Sequence, residues 1–271
     1  MASIVPYEYL KHVLVVPVRV ADVPTRFVFD TGIGINLVSE SLAERLSCRP
    51  DGSSFTGQRM SGQEVTAPLT RLPSLTVGDQ TSHDVRAGIF DMHAMAGLEG
   101  VEGFVSLSFF RATPVTIDYA ASQLILEDAA SLARRAEQGT AVEVQVEYDD
   151  CSTRVVLGLD LPGGRSVAVE VDTGSDSLIL DASLAPDAGV DLTAGSTRVL
   201  EGTDETGHQF ARYFATLSGE VSVTGAAGFR VGELETMFQK IIYEGLVGDA
   251  FLRHFTTTYD LANSRMIFSA P

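Results

Sequence analysis

Apolar and polar residues alternate through residues 3–29, rich in Val and punctuated by the turn signal Ala21-Asp22-Val23-Pro24. A period of two predicts two or three antiparallel strands there. Ile35-Asn36-Leu37-Val38 predicts a further short strand, and Ser41-Leu42-Ala43-Glu44 has capping-box spacing for a short helix through Leu46. From Phe55 to Val77 the pattern is that of a long hairpin with its tip near Met60-Ser61-Gly62-Gln63. Residues 84–126 continue as strands, among them Gly103-Phe104-Val105-Ser106-Leu107 and Val115-Thr116-Ile117-Asp118-Tyr119. The polar, Ala-rich stretch 127–140 interrupts the alternation and favours helix. Strands return at 141–148 and 153–161, followed by a turn at Pro162-Gly163-Gly164 and the strand Val167–Val171. A second hairpin has its tip near Asp204-Glu205-Thr206-Gly207-His208, and the closing strands run through Leu246 and Ile267. Short strands broken by Gly or Asp predict an all-β chain with a few short helices.

The pattern occurs twice. Asp30-Thr31-Gly32 ends the strand Arg26–Phe29, and Asp172-Thr173-Gly174 ends the strand Val167–Val171, 142 positions later. Gly103-Phe104-Val105 and Gly245-Leu246-Val247 keep that offset, as do Ile117-Asp118 and Tyr259-Asp260. One ungapped offset over this span predicts an internal duplication. The expected organisation is an N-terminal lobe over 1–127, a connection over 128–140 and a C-terminal lobe over 141–271. The lobes should be β-barrel-like and related by a pseudo-twofold axis, with one Asp from each at the centre.

Composition narrows the partners. An apolar fraction of 45% supports packed cores, and a net charge of −17 speaks against nucleic acid and anionic membranes. The early apolar run Val13–Val20 contains Pro17 and Arg19 and lacks the flanks of a signal peptide, so it reads as a strand. Cys48 and Cys151 are too few for a disulfide framework and fit a reducing, cytoplasmic compartment. Asp91-Met92-His93 looks metal-like, but the other histidines supply no ligand spacing, so no metal or other cofactor is expected. Only 29 residues precede Asp30 and strands are expected to occupy them, so no inhibitory pro-segment is expected among those residues.

Two carboxylates that share a proton can do acid–base work that one cannot: the ionised member takes a proton from water while the protonated member donates. Gly32 and Gly174 allow a sharp turn, with backbone N–H groups close to the carboxylates, and Thr31 and Thr173 can bond across the twofold. On these residues the chain resembles the pepsin-like and retropepsin-like aspartic peptidases in their small, single-chain, bilobed form. Val171-Asp172-Thr173-Gly174-Ser175 and Gly245-Leu246-Val247-Gly248-Asp249-Ala250-Phe251-Leu252 carry the resemblance best. It implies an endopeptidase that hydrolyses peptide bonds through an Asp30/Asp172 dyad, as a monomer. The extended polypeptide substrate would lie under flaps at Met60, Ser61 and Gly62 and at Thr206, Gly207 and His208.

The first half departs from that family in two places. Ile33 stands where the family carries a small residue, and Ser106 stands at the position of Gly248. These departures motivate an alternative, a catalytically impaired peptide-binding pseudo-protease that keeps the cleft. They also predict an asymmetry. The Ser175 hydroxyl should bond Asp172 and keep it ionised, while Asp30, with no such donor from Ile33, should hold the proton.

Overall fold

The computed structural model describes residues 2–92, 97–203 and 209–271. The chain is all-β. Among the described residues the only α-helices are Glu40–Arg45, Ala129–Gln138 and Asp249–Leu252. The first is capped by Ser39, whose hydroxyl accepts from the Leu42 N–H at 3.0 Å. The cap therefore lies two residues ahead of Ser41, whose own hydroxyl is occupied with that of Ser39. The second helix fills most of the 128–140 stretch, with a reciprocal cap between Asp128 and Ser131. Residues 3–30 form four strands, Ser3–Pro6, Glu8–Leu10, Val13–Val20 and Val23–Asp30, rather than two or three. Ala21 and Asp22 both take left-handed backbone, as the tight turn between the last two requires.

The strands fall into three sheets. The N-terminal sheet runs, edge to edge, Glu8–Leu10, Val13–Val20, Val23–Asp30, Gly103–Ser106, Leu37–Ser39, Gln80–Phe90, Glu64–Val77 and Ser54–Gln58. The C-terminal sheet repeats that order with Gln145–Asp149, Ser152–Asp160, Ser166–Val171, Gly245–Val247, Leu178–Asp181, Glu235–Gln239, Gln209–Thr216 and Arg198–Thr203. In each, the strand that leads into an aspartate pairs parallel with a Gly-led strand. The two Gly-led strands are buried throughout, whereas Ser166–Val171 alternates buried Val with exposed or half-buried residues. The halves differ in one respect. The long strands Glu64–Val77 and Gln80–Phe90 are unbroken, whereas the C-terminal chain divides the same path at Leu217–Gly219 and at Glu233–Leu234.

A six-stranded sheet joins the halves, in the order Ser3–Pro6, Gln123–Leu126, Val115–Asp118, Thr256–Asp260, Arg265–Ser269 and Thr140–Glu143. At its centre Thr116 faces Thr258, with hydroxyl oxygens 2.7 Å apart. One large core runs through both halves, and a smaller apolar cluster lies on the opposite face of each aspartate-bearing sheet. Cys48 and Cys151 are half-buried free thiols, and burial pushes the Cys48 thiol up. Among the described residues no helix is long and apolar enough to cross a membrane.

Candidate active site

Each aspartate sits where its strand ends and the chain turns. Strand alternation places Phe27 and Phe29 in the main core, and Val28 and Asp30 on the other side. In the second strand Val167, Val169 and Val171 are buried in the core, so Glu170 shares the side of Asp172. After each aspartate the turn brings backbone N–H groups onto the carboxylate. Asp30 Oδ1 accepts from Gly32 at 2.8 Å and Ile33 at 3.1 Å, and Asp172 Oδ1 accepts from Gly174 at 2.9 Å.

The two turns interlock. The Thr31 N–H donates to Thr173 Oγ1 at 3.1 Å, and the Thr173 N–H donates to Thr31 Oγ1 at 3.0 Å. Each hydroxyl passes its own proton to a carbonyl of the opposite strand, Thr31 to Val171 at 2.7 Å and Thr173 to Phe29 at 3.4 Å. Both threonines are fully buried. The glycines set the approach of the carboxyl groups. A Cβ on Gly32 would overlap the Asp172 carboxyl, and one on Gly174 would lie 2.5 Å from Asp30 Oδ2. Asp30 and Asp172 therefore meet across the turns, each packed on the other's glycine.

Burial is the first cause that pushes both carboxyls up. Asp30 rises well above the usual carboxylate range because the Asp172 charge adds to burial. Asp172 is raised too, but the Gly174 N–H, a hydrogen bond from Asp30 and the His12 imidazole all oppose the rise. The pair is thus polarised, with the proton favoured on Asp30.

The origin of this polarity differs from the expectation. Ser175 Oγ donates to the Ser177 carbonyl at 3.3 Å and accepts from the Ser177 N–H at 3.4 Å, so its hydroxyl closes its own loop and does not bond Asp172. Ile33 in turn does supply a donor, its backbone N–H, while its side chain packs on the smaller N-terminal apolar cluster. Ser106 is also accommodated. It is fully buried, its N–H donates to Asn36 Oδ1 at 3.0 Å, and its hydroxyl lies 2.6 Å from that of Ser108.

The first hairpin places Met60, Ser61 and Gly62 at a tight tip, where Gly62 has a left-handed φ of +84° and donates to the Arg59 carbonyl at 2.8 Å. That tip reaches the C-terminal half. The Ile242 N–H donates to the Met60 carbonyl at 3.0 Å, and Met60 packs against the apolar cluster of Ile179, Met237, Ile241 and Leu246. The second hairpin is formed by Arg198–Thr203 and Gln209–Thr216. Its tip, with Thr206, Gly207 and His208, lies outside the described residues, as does His93.

Two groups near the aspartates escaped the reading of the sequence. His12, in the turn after Glu8–Leu10, contacts the Gly174 carbonyl through Nε2 at 3.0 Å. Glu170 has a side chain only 12% exposed, and burial pushes its carboxyl up to about 7; Arg154 opposes the shift and the Asp172 charge adds to it. A periodicity argument marks Glu170, since it is the one acidic residue in the strand into Asp172. Nothing local in the sequence marks His12, which is brought to Gly174 by long-range pairing.

The comparison with curated proteins returns no match. Residues 16–107, which carry Asp30-Thr31-Gly32, the first hairpin and Ser106, match the family model of the aspartyl proteases, and the match supports an aspartic peptidase.

Proposed function

We propose that the chain is an aspartic endopeptidase that arose by internal duplication, with two lobes, 1–127 and 141–271, joined through the 128–140 connection and a shared sheet. The observation that carries this reading is the reciprocal packing of the two aspartate turns, in which each glycine lies against the other turn's carboxyl. In the proposed reaction Asp172 is ionised and Asp30 protonated. Asp172 takes a proton from a water held between them while that water's oxygen attacks the scissile carbonyl carbon, and Asp30 gives its proton to the carbonyl oxygen. The resulting gem-diol returns a proton to Asp30 as the C–N bond breaks, and the proton held by Asp172 passes to the amine nitrogen. The backbone N–H groups of Gly32, Ile33 and Gly174 fix the carboxylates throughout.

The extended substrate lies beneath the hairpin tip at Met60-Ser61-Gly62, with a second flap contributed by the hairpin that ends at Thr206-Gly207-His208. One chain supplies both aspartates, so a monomer suffices, with an unfolded or flexible polypeptide as partner and a reducing compartment as its setting. The pseudo-protease alternative is weakened because Ile33 and Ser106 leave the carboxylates hydrogen-bonded and paired.

The test is cleavage of an unfolded protein mixture between about pH 3 and pH 7, with and without a statine-type transition-state analogue. Inhibitable cleavage is expected, and Asp30→Asn and Asp172→Asn should each lower it by about 10³-fold or more without lowering the melting temperature. Cleavage that survives either substitution would overturn the dyad.

A further inference from the structure

The two strands that lead into the aspartates present different residues one pleat before them. In the N-terminal half this is Val28, fully buried in an apolar cluster with Val13, Leu37 and Phe104. In the C-terminal half it is Glu170, on the same side of its strand as Asp172. Its Oε2 accepts from Arg154 Nε at 3.2 Å, and Arg154 Nη1 also bonds Glu147 Oε2 at 3.0 Å. The Arg154 guanidinium lies over the Tyr243 ring, 5.5 Å from its centroid. Tyr243 and Met60 of the hairpin tip both pack on the apolar cluster of Ile179, Met237, Ile241 and Leu246. Glu170 thus stands between the dyad and the segment that the hairpin touches.

Charge defines what this wall accepts. Arg154 is shared by two carboxylates, so the group of Glu147, Arg154 and Glu170 carries one net negative charge when all are ionised. The ionised dyad adds another within the same water-poor region, where charge–charge terms exceed their value in water. Val28, at the corresponding position of the N-terminal strand, is fully buried and supplies no charge.

We propose that Glu170 is a specificity-determining residue, and that it selects a basic side chain, Lys or Arg, at one of the two substrate positions flanking the scissile bond. The inference rests on the peptidase reading. Successive side chains of an extended peptide point to opposite sides, so a chain crossing between Asp30 and Asp172 offers one of its two flanking side chains to the Glu170 side. An ammonium or guanidinium at the Glu170 wall replaces the water that burial has removed from that carboxylate. An acidic side chain would meet the uncompensated negative charge, and a purely apolar one would leave the carboxylate without a new partner.

The experiment uses quenched-fluorescence peptides of one sequence, with Lys, norleucine or Glu at either flank of the scissile bond. They are cleaved above the Glu170 pKa of about 7, where that carboxyl is ionised, by the wild-type chain, Glu170→Gln and Glu170→Val, with kcat/KM read for each. At one flank the wild type should favour Lys over norleucine by about tenfold, and Glu170→Gln should remove that preference while norleucine peptides are still cleaved. Glu170→Val, which carries the side chain that the N-terminal strand has at Val28, should reverse it. The isosteric Gln variant keeps the test readable if the Val variant unfolds, and a melting curve checks both. A wild type that favours norleucine at both flanks, or a Gln variant that keeps the Lys preference, overturns the inference alone. Absence of cleavage of every peptide together with failure to bind the statine-type analogue overturns the peptidase reading and the inference with it.

Discussion

The two aspartate turns reach the same backbone geometry with different supports. Behind Asp172, the Gly248 N–H donates to the Ser177 carbonyl at 3.1 Å, and a Cβ on Gly248 would lie 2.6 Å from that oxygen. Behind Asp30, Ser106 takes the corresponding place and its N–H donates to a side-chain oxygen, Asn36 Oδ1, at 3.0 Å. The acceptor is a backbone carbonyl in one case and an amide side chain in the other. An amide at the end of a side chain leaves space for a Cβ that the carbonyl denies. A glycine in one half is therefore a packing requirement that the other half has removed, and residue identity at one position has to be judged with its acceptor.

The largest effect that would test this contrast comes one pleat upstream, where Val28 stands against Glu170. The Glu170 carboxyl is raised by burial from 4.5 to about 7, so the folded chain holds its proton more tightly than the unfolded chain does. Its contribution to stability is fully present below pH 4.5 and is lost as the pH rises through about 7. A shift of that size corresponds to about 3 kcal/mol. Denaturant titrations of the wild type at a series of pH values should show that loss, and Glu170→Gln should flatten the curve over that window. An unchanged curve in the variant would remove Glu170 from the comparison.

Exchanging the supports comes next. Gly248→Ser should destabilise by roughly 2 kcal/mol, because the new side chain has to displace backbone oxygens. Ser106→Gly should cost roughly 1 kcal/mol, as it adds backbone freedom to a strand end and leaves the Asn36 contact in place. Urea midpoints of the two variants decide the matter, and equal losses would show that the supports are interchangeable. The smallest effect is expected for Ser175→Ala. Its hydroxyl bonds only within the 175–177 loop, so the acid limb of the pH–rate profile should stay in place and stability should change by about 0.5 kcal/mol or less. A moved acid limb would restore the hydroxyl to the carboxylate.

What could be read from the sequence was what is local or repeated. Alternating apolar residues mark the strands, and the offset between the two Asp-Thr-Gly turns points to residues that the fold places together. The turn near Gly62 was legible because its glycine has a conformational reason. The helix cap was misplaced because Ser39 and Ser41 both fit a capping pattern, and only Ser39 has the extended backbone that aims its hydroxyl at Leu42. The Asn36 acceptor could not be read, since it depends on a strand 70 residues away. His12 reaches Gly174 across 162 residues for the same reason. The role given to the Ser175 hydroxyl failed because a short side chain chooses the nearest acceptor, here Ser177, over one that is farther along its turn.

The contact between Met60 and Ile242 has a topological consequence. From Asp30 the backbone passes through the N-terminal sheet to the first hairpin, crosses to Ile242 by one hydrogen bond, and returns through the C-terminal sheet to Asp172. The threonine pair then closes the circuit between the aspartates. Both carboxyl groups thus belong to a closed loop of bonded backbone. On the peptidase reading, a linear chain enters such a loop end first, whereas a cyclic chain, or one with bulky folded ends, requires the contact between Met60 and Ile242 to part. The hydrogen bond itself contributes about 1 kcal/mol, and the packing of Met60 on the apolar cluster holds the clasp beyond that.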